Sequence, residues 1–222
     1  EYIDKNPSES LFNNTKLTEK LIPLFQAANK HVVYSSTSEV YGNGPFSEES
    51  ETRIGPSSKL RWGYACSKLM TEFMIRASNF PYTIVRFFNV VGPGQLGDYG
   101  MVLPRFVQAA KEGKDLVVYG DGEQVRSFCH VSDAIESLIK VAEHPNDLFN
   151  IGNNTPITIN ELAERVIEQS NSSSQITHIP YGEAFSNNHG DITFRVPDLA
   201  KLIAITKYRP KYDVVDIIND LL

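Results

Sequence analysis

The sequence has few of the residues that cross-link small secreted proteins or bind metals. Among its 222 residues there are two cysteines, Cys66 and Cys129, which are too far apart for a Cys-x-x-Cys pair. This count argues against both a disulfide framework and a zinc knuckle. The five histidines show no i, i+3 or i, i+4 spacing that would let two imidazoles share a metal ion. We therefore expect no metal site, and the low cysteine content favours a reducing, cytoplasmic location.

Long apolar runs and an excess of positive charge are also missing. No stretch approaches the roughly 18–20 consecutive apolar residues of a membrane-spanning helix. The 21 lysines and arginines are outnumbered by 27 aspartates and glutamates, which gives a formal charge of −6. Binding to nucleic acid depends on neutralising phosphates with basic residues. We therefore expect no membrane partner and no nucleic-acid partner, and small molecules or proteins are the favoured ligands.

The composition that is present is that of a globular protein with a sizeable core. Apolar residues make up 41% of the chain and charged residues 22%, which is close to the usual balance of globular domains. A length of 222 residues suits one large domain or two smaller ones. A disordered tail and a coiled coil are both disfavoured by this composition.

The first part of the chain alternates segments of helical and strand character. Apolar residues at helical spacing predict helices over 8–29 and 64–78, and β-branched and aromatic runs predict strands over 31–36 and 82–88. The segment 42–63, rich in Gly, Pro and Ser, predicts a loop. Strand, loop, helix and strand in this order form a βαβ unit, which implies an α/β fold with a parallel sheet.

After Gly92-Pro93-Gly94 the predicted elements become shorter and more mixed. In chain order they are a helix over 103–111, strands over 116–119 and 127–131, a helix over 132–143, a strand over 148–151, a helix over 158–169, a strand over 175–179, and helices over 197–203 and 213–222. We therefore predict two parts, residues 1–94 and residues 95–222.

Tyr64 and Lys68 form a Tyr-x-x-x-Lys pair at the start of a predicted helix. The i, i+4 offset places both side chains on one face of the helix. A lysine ammonium on that face lowers the pKa of a nearby phenol from its ordinary value of about 10 toward neutrality, so that the tyrosine can serve as a general acid or base. Taken alone, the pair is more typical of a solvated helix surface than of a catalytic site.

A group of polar side chains follows the first predicted strand. Thr37, Ser38 and Glu39 come directly after the buried run VVYSS. In an open parallel sheet, ligands bind at the carboxyl ends of the strands, which makes these residues candidates for a binding site. The alternative interpretation is that they are turn and capping residues of a loop. The Tyr-x-x-x-Lys helix downstream favours the binding site.

Five motifs together carry a resemblance to a known family. In chain order they are STSEVYG, RWGYACSK, RFFNVVGPGQ, RSFCHVSD and NIGN. With these motifs, essentially the whole chain resembles the extended short-chain dehydrogenase/reductase family, specifically its NAD-dependent nucleotide-sugar epimerases, dehydratases and decarboxylases. The resemblance implies NAD as the cofactor. It also implies a Rossmann-type parallel sheet, with residues 1–94 as part of the NAD-binding domain and residues 95–222 as a smaller, mixed α/β lobe that binds the nucleotide-sugar.

The resemblance further implies roles for individual residues. Thr37 and Tyr64 match the pair that contacts the sugar hydroxyl being oxidised, and Lys68 matches the lysine that holds the nicotinamide ribose and tunes the tyrosine. On the cofactor side it implies Ser35 and Phe87, and it places both Phe87 and Phe88 beside the nicotinamide. The substrate-binding residues that it implies are Asn14, Ser38, Asn89, Arg126 and Arg195. Asn89 and Arg126 match residues at the sugar diphosphate, and Arg195 matches a second substrate-binding arginine. Arginine is suited to phosphates because its guanidinium binds them through two hydrogen bonds.

The implied chemistry starts with oxidation of the sugar C4 hydroxyl to a ketone. Return of the hydride to the other face gives 4-epimerisation, loss of a neighbouring carboxylate gives decarboxylation, and an added acid/base pair gives dehydration. Dehydratases of the family usually carry Asp-Glu where this chain has Ser38-Glu39, which disfavours dehydration. Glu39, a further catalytic candidate, and Arg195 also resemble residues that assist at the C5 carboxylate in UDP-glucuronate decarboxylases. We expect UDP-sugar 4-epimerisation narrowly ahead of decarboxylation, because epimerisation demands the fewest special groups.

The glycine-rich loop that holds the NAD pyrophosphate in this family has no counterpart in the sequence. GNG at 42–44 and GDG at 120–122 do not open helices. The resemblance therefore implies a piece of a longer enzyme, with activity of these 222 residues alone in doubt, and the alternative is a truncated nucleotide-sugar-binding module without catalysis. It also implies a homodimer, formed through a four-helix bundle that includes the helices of Asn14 and Tyr64.

Overall fold

The structure is a computed structural model that describes residues 7–95, 101–184 and 192–222. Its helices are α1 (Pro7–Ala28), α2 (Trp62–Arg76), α3 (Val102–Lys111), α4 (Val131–Val141), α5 (Ile159–Ser170), α6 (Tyr181–Ala184), α7 (Ala200–Thr206) and α8 (Val214–Leu221), with a 3₁₀ turn over Ser38–Tyr41. Its strands are β1 (Val32–Thr37), β2 (Tyr82–Phe87), β3 (Val90–Val91), β4 (Leu116–Tyr119), β5 (Val125–Arg126), β6 (Cys129–His130), β7 (Asp147–Ile151), β8 (Ile157–Thr158), β9 (Ile176–Ile179) and β10 (Phe194–Arg195).

The chain divides into two compact units that interleave along the sequence. The first consists of Glu1–Phe88, Ile135–Ile151 and Pro197–Arg209, and the second of Asn89–Ala134, Gly152–Val196 and Pro210–Leu222. This differs from the predicted division into 1–94 and 95–222, because two later segments return to the first unit. One of them carries β7, which reaches the first unit by pairing with β2.

The first unit is built on a parallel three-stranded sheet in the order β1-β2-β7. The register aligns Thr37, Phe87 and Ile151 side by side at the carboxyl ends of the three strands. A core formed by Ile75, Phe80, Ile84 and Leu148 packs beside this sheet, with Ile22 and Phe25 of α1 against it. The predicted parallel α/β sheet is therefore confirmed, and its carboxyl-terminal edge presents the residues that follow β1 and β2.

A buried polar cluster joins the elements of the first unit. Arg86 on β2 donates from Nε and Nη2 to the two carboxylate oxygens of Glu72 on α2, at 3.0 and 2.6 Å. Ser36 Oγ on β1 donates to Glu72 Oε1 at 2.5 Å. The Arg86 guanidinium carbon lies 4.6 Å from the centre of the Tyr41 ring, and the Tyr41 hydroxyl donates to Asn150 Oδ1 on β7 at 2.8 Å. We call these five residues the Glu72 network.

The second unit combines three small sheets with a helical core. Its sheets have the strand orders β10-β5-β8, β3-β6 and β4-β9. Side chains of α3, α5 and α8 form the main apolar core of this unit, among them Leu103, Phe106, Leu162, Val166 and Ile217. Helices α5 and α8 each begin with a capping box, Thr158 with Glu161 and Asp213 with Asp216, which satisfies backbone N–H groups at the helix start.

Most predicted elements agree with the structure to within two residues at each end. The strand predicted over 127–131 is shorter in the structure: it is β6 alone, because Ser127 and Phe128 separate it from β5 and α4 begins at Val131. The helix predicted over 197–203 begins later, at Ala200. Strands as short as β3, β8 and β10 carry no periodicity and exist only through their pairing partners.

Two further findings concern the thiols and the helix lengths. Both cysteines are free, with Cys66 exposed and Cys129 buried, as the absence of a disulfide pattern predicts. Within the three described ranges, no helix is both long and apolar enough to cross a membrane.

We expect Ile84→Ala to lower the free energy of unfolding by roughly 2–5 kcal/mol, because it opens a cavity in the core of the first unit. Ile84 is fully buried, whereas Ile139 on α4 is 63% exposed. The matched control Ile139→Ala should therefore change the free energy by less than about 0.5 kcal/mol. Urea titration followed by circular dichroism measures both. Equal effects of the two substitutions would contradict the described packing.

The Glu72 network also predicts a loss of stability at alkaline pH. Burial raises the pKa of Tyr41 to about 12 from its ordinary value of 10.0. Above pH 10 the unfolded chain therefore releases this proton while the folded protein retains it, so the free energy of unfolding falls as the pH rises, by about 1.4 kcal/mol at pH 11.

The variant Tyr41→Phe tests this expectation. At pH 8 it should be less stable than the unaltered protein, because the hydrogen bond to Asn150 is lost. Since phenylalanine has no proton to release, the gap between the two proteins should narrow from pH 8 to pH 11. Urea unfolding at several pH values measures the gap, and a constant gap would show that Tyr41 ionises alike in both states.

Candidate active site

The polar residues after β1 form a capped turn at the carboxyl end of the sheet. Thr37 is the last residue of β1 and caps the 3₁₀ turn, its Oγ1 accepting the backbone N–H of Glu39 at 3.3 Å. Ser38 is buried, and Glu39 lies 4.0 Å from the Arg61 guanidinium. The turn closes at Gly42, whose φ of +58° favours glycine. A Cβ at this position would lie 2.7 Å from the Arg53 carbonyl oxygen, which is too close. Both the capping interpretation and the strand-end placement therefore apply to Thr37.

Lys68 lies beside the same strand end. Its Nζ donates to the backbone carbonyl of Ser35 at 2.9 Å and lies 5.2 Å from the centre of the Tyr34 ring and 6.0 Å from that of Tyr64. Burial lowers the pKa of Lys68 below its ordinary value. Helix α2 thus brings Tyr64 and Lys68 together on the face that contacts β1, as their i, i+4 spacing predicts. Ser35 contributes its backbone oxygen to the contact with Lys68, and the residue is exposed.

Asn14, predicted to bind substrate, is engaged with α2. Its Nδ2 donates to Ser67 Oγ at 3.0 Å, and Ser67 Oγ donates in turn to the carbonyl oxygen of Tyr64 at 2.8 Å. Asn14 is therefore connected to the backbone of the residue expected to carry the proton transfer. In the first unit it joins α1 to the start of α2.

The two phenylalanines at the end of β2 differ in environment. Phe87 is partly exposed and pairs in register with Thr37. Phe88 is 4% exposed and packs with Tyr41 and Phe46, at ring-centroid distances of 6.4 and 6.0 Å. Only Phe87 is therefore placed where it can face a ligand at the sheet edge, and the expectation for Phe88 is wrong because its ring fills an aromatic cluster.

The second unit gathers the other predicted substrate-binding residues. Strands β5 and β10 run parallel, with Arg126 and Arg195 as direct neighbours. Arg195 donates to Asn89 Oδ1, and Asn89 Nδ2 donates to the Ser127 carbonyl at 2.8 Å. Arg126 is 8% exposed and donates from Nη1 to the Val125 carbonyl. Arginine residues at neighbouring positions of two strands, one of them bonded to the Asn89 amide, are donors suited to phosphate oxygens.

The functional candidates that sequence reasoning missed are those of the Glu72 network. Two signals in the sequence point to them. Glu72 follows Lys68 at the same i, i+4 spacing that separates Tyr64 from Lys68, and Arg86 stands inside the otherwise apolar strand YTIVRFF. A charge in a buried strand requires a buried partner. Which partner that is depends on the packing of α2 against β2.

Comparison with known proteins adds the family. The model of the NAD dependent epimerase/dehydratase family matches residues 4–152. UDP-N-acetyl-alpha-D-glucosaminuronate decarboxylase of Bacillus cytotoxicus is 38% identical over 210 residues, which cover 91% of this chain and 65% of that protein. UDP-glucuronic acid decarboxylase 4 of Arabidopsis thaliana is 32% identical over 213 residues, which cover 93% of this chain and 47% of that protein.

A solved structure agrees with the fold. The UDP-N-acetylglucosamine 4-epimerase from Methanobrevibacter ruminantium, in complex with UDP-N-acetylmuramic acid, is 27% identical and superposes with a TM-score of 0.80 over 93% of this chain and 68% of that one. The chain thus spans between about half and two thirds of the curated relatives named above. The expected resemblance and the Rossmann-type fold class are both confirmed. With a family match over most of its length and a fold that agrees, the chain belongs to the NAD-dependent epimerase/dehydratase family.

Proposed function

We propose that this chain provides the catalytic and sugar-binding residues of an NAD-dependent enzyme that oxidises a UDP-hexuronate at C4 and decarboxylates the resulting ketone. The observation that carries the proposal is the Lys68 amine, which is held by the Ser35 carbonyl at the carboxyl end of β1, 6.0 Å from the Tyr64 ring. The cytoplasmic location expected from the cysteine content is retained, in keeping with two free thiols.

The residues around Lys68 fit the nicotinamide side of the cofactor. An ammonium group has three N–H donors, and Lys68 uses one of them on Ser35, so two are left for ribose hydroxyls. Phe87, at the carboxyl end of β2, supplies an apolar surface near the same sheet edge. When bound, NAD supplies the hydride acceptor for the sugar C4 carbon.

The proton of the C4 hydroxyl goes to Tyr64. The positive charge of Lys68, 6.0 Å from the centre of the Tyr64 ring, would stabilise the phenolate that serves as the base. Thr37 Oγ1 binds the same sugar hydroxyl and orients it. In the second unit, Asn89, Arg126 and Arg195 bind the diphosphate through charge-assisted hydrogen bonds.

Decarboxylation follows from the position of the ketone. With C4 oxidised, the C6 carboxylate of a hexuronate is β to a ketone, so the bond from C5 to the carboxylate breaks, CO₂ leaves, and the electron pair moves onto the C4 oxygen. Glu39, which lies beside Thr37 and 4.0 Å from the Arg61 guanidinium, would relay a solvent proton to C5. Return of the hydride to C4 would then give the UDP-pentose and restore the oxidised cofactor. The two curated relatives named above, both decarboxylases by name, support this choice over epimerisation.

The second candidate is UDP-sugar 4-epimerisation, which the sequence alone places first. It needs the same oxidation by Tyr64, Lys68 and Thr37 but no group at C5. Support for it comes from the 4-epimerase whose structure is similar over 93% of this chain.

A substrate panel separates the two reactions. The full-length natural protein, loaded with NAD, is incubated with UDP-glucuronate, UDP-N-acetylglucosaminuronate, UDP-glucose and UDP-N-acetylglucosamine, and products are identified by NMR with parallel measurement of CO₂. We expect CO₂ and a UDP-pentose product from at least one uronate. Epimerised UDP-glucose or UDP-N-acetylglucosamine without CO₂ would favour the second candidate, and no conversion of any of the four would refute both.

In the same assay Tyr64→Phe should lower kcat by about 100-fold or more, because a general base is removed. Tyr82→Phe is a matched control, since Tyr82 stands at the amino end of β2, away from the carboxyl ends of the strands. Its kcat should stay close to that of the unaltered protein. Equal losses in both variants would argue against proton transfer by Tyr64.

We also propose the homodimer implied by the sequence resemblance. Helices α1 and α2 pack on each other and leave large apolar side chains exposed, namely Phe12, Leu17, Leu24, Met70 and Phe73, at 53–67% exposure. Exposed apolar area of this kind on paired helices is typical of a protein–protein interface. A second copy of the chain would bury it in a four-helix bundle.

Light scattering after size-exclusion chromatography tests the dimer. The protein should elute with twice the mass of one chain, and Phe73→Glu should shift the equilibrium toward the monomer, because a charge would be buried in the interface. Ile139→Glu on α4, equally exposed at 63%, should leave the mass unchanged. A monomeric unaltered protein would rule out the proposed interface.

A further inference from the structure

We propose that Glu72 is a positioning residue, which through Ser36 and Arg86 fixes the placement of Lys68 relative to Thr37. The kinetic part of this inference rests on the proposed function, whereas its structural part does not. Glu72 itself is 3% exposed and both its carboxylate oxygens accept hydrogen bonds from Ser36 or Arg86, so it acts through its neighbours.

Helix α2 is attached to β1 at two successive residues. Lys68 Nζ donates to the Ser35 carbonyl, and one helical turn later Glu72 accepts from Ser36 Oγ. Thr37 is the next residue of the strand. Because i and i+4 side chains lie on one face of a helix, the two attachments together set both the rotation of α2 and its position along the strand. A single attachment would set only one of these.

Arg86 fixes the carboxylate of Glu72 in turn. Its planar guanidinium binds both carboxylate oxygens, and in the sheet Arg86 is the direct neighbour of Ser36. The two donors that meet at the Glu72 carboxylate, Ser36 and Arg86, are thus held in register by backbone pairing. Two hydrogen bonds from a planar guanidinium to a carboxylate restrict the orientation of the pair more strongly than the contact of a lysine ammonium with a carboxylate.

The Arg86 guanidinium also contacts the segment that follows Thr37. It lies over the ring of Tyr41, which ends the 3₁₀ turn that contains Glu39 and is anchored on Asn150. Ser36, before Thr37, and Tyr41, after it, therefore both contact the ion pair of Arg86 and Glu72.

Energetics favour a geometric role for this ion pair. Burial by itself lowers the pKa of Arg86, and the interactions with Glu72 and Tyr41 together outweigh that effect and raise it. Both ions nevertheless lose hydration, and an apolar pair of similar volume often stabilises a fold as well or better. Stability alone therefore does not require an ion pair here, and what it provides in addition is a fixed orientation of three elements.

Three variants separate positioning from stability. Glu72→Gln leaves Arg86 buried without a counter-charge. The double variant Glu72→Met with Arg86→Met removes both charges and replaces them with apolar volume. The control Asp147→Asn breaks the ion pair with Lys201, which measures 2.5 Å and lies at the amino end of β7 in the same unit.

Steady-state kinetics and thermal unfolding are measured on the NAD-loaded protein. We expect kcat to fall about 100-fold in Glu72→Gln and in the double variant, as for a misplacement near 1 Å, with KM little changed. Thermal stability should fall in Glu72→Gln and be largely recovered in the double variant. Asp147→Asn should lose stability without losing kcat. Recovery of kcat together with stability in the double variant would overturn the proposal, since the ion pair would then be purely structural.

Hydrogen exchange without substrate gives a readout that does not need activity. In both Glu72 variants, peptides covering residues 32–41 should exchange faster than in the unaltered protein, even where stability has been recovered, and the control should show no change there. Unchanged exchange in the double variant would also overturn the proposal. An unaltered protein that converts none of the four UDP-sugars would instead refute the proposed function, and the exchange result would still decide the positioning role.

Discussion

The buried ion pair between Arg86 and Glu72 is the constraint on which the first unit depends. Two opposite charges with exposures of 5% and 3% tolerate little displacement, because an uncompensated charge in such an environment is costly. Helix α2, strand β1 and strand β2 must therefore keep one relative position. Apolar packing around Ile75 and Ile84 permits more freedom, since dispersion contacts have no preferred direction. Side chains that must meet a substrate at defined distances benefit from the stricter constraint.

The predicted site residues fall into two groups that correspond to two kinds of chemistry. The first unit holds Thr37, Tyr64 and Lys68, and burial lowers the pKa of Lys68 there. The second unit holds Asn89, Arg126 and Arg195, whose charge and donors suit a strongly solvated anion. One group would perform proton transfer and the other would bind the diphosphate, so each unit would contribute a separate part of the proposed reaction.

In the proposed reaction the oxidation at C4 comes first, and the fate of the ketone decides between decarboxylation and epimerisation. The residues that would decide between these two fates are few. Tyr64, Lys68 and Thr37 would serve both reactions, whereas Glu39 and its neighbour Arg61 would matter only where C5 takes part. This is why the motif residues alone do not separate decarboxylation from epimerisation. The names of the two curated relatives, both decarboxylases, are therefore used to choose between the two proposed reactions.

The sequence by itself determined the parallel α/β fold, the bounds of its long helices and strands to within two residues, and the pairing of Tyr64 with Lys68. These follow from periodicity and from i, i+4 spacing, which are local properties of the chain. Motifs also identified Asn89, Arg126 and Arg195 as a set. Phe88 was misjudged, because whether a side chain at a strand end turns inward depends on the aromatic residues it meets, Tyr41 and Phe46.

Only the tertiary structure decided which distant residues meet. It joined β7 to β2 across 60 residues of chain and so returned Ile135–Ile151 to the first unit. It paired the two-residue strands β5 and β10, so that Arg126 and Arg195 are neighbours. It also brought Glu72 to the charge of Arg86. The physical reason is common to all three. Pairing between strands and burial of charge depend on contacts between segments far apart in the chain, and no local pattern specifies such contacts.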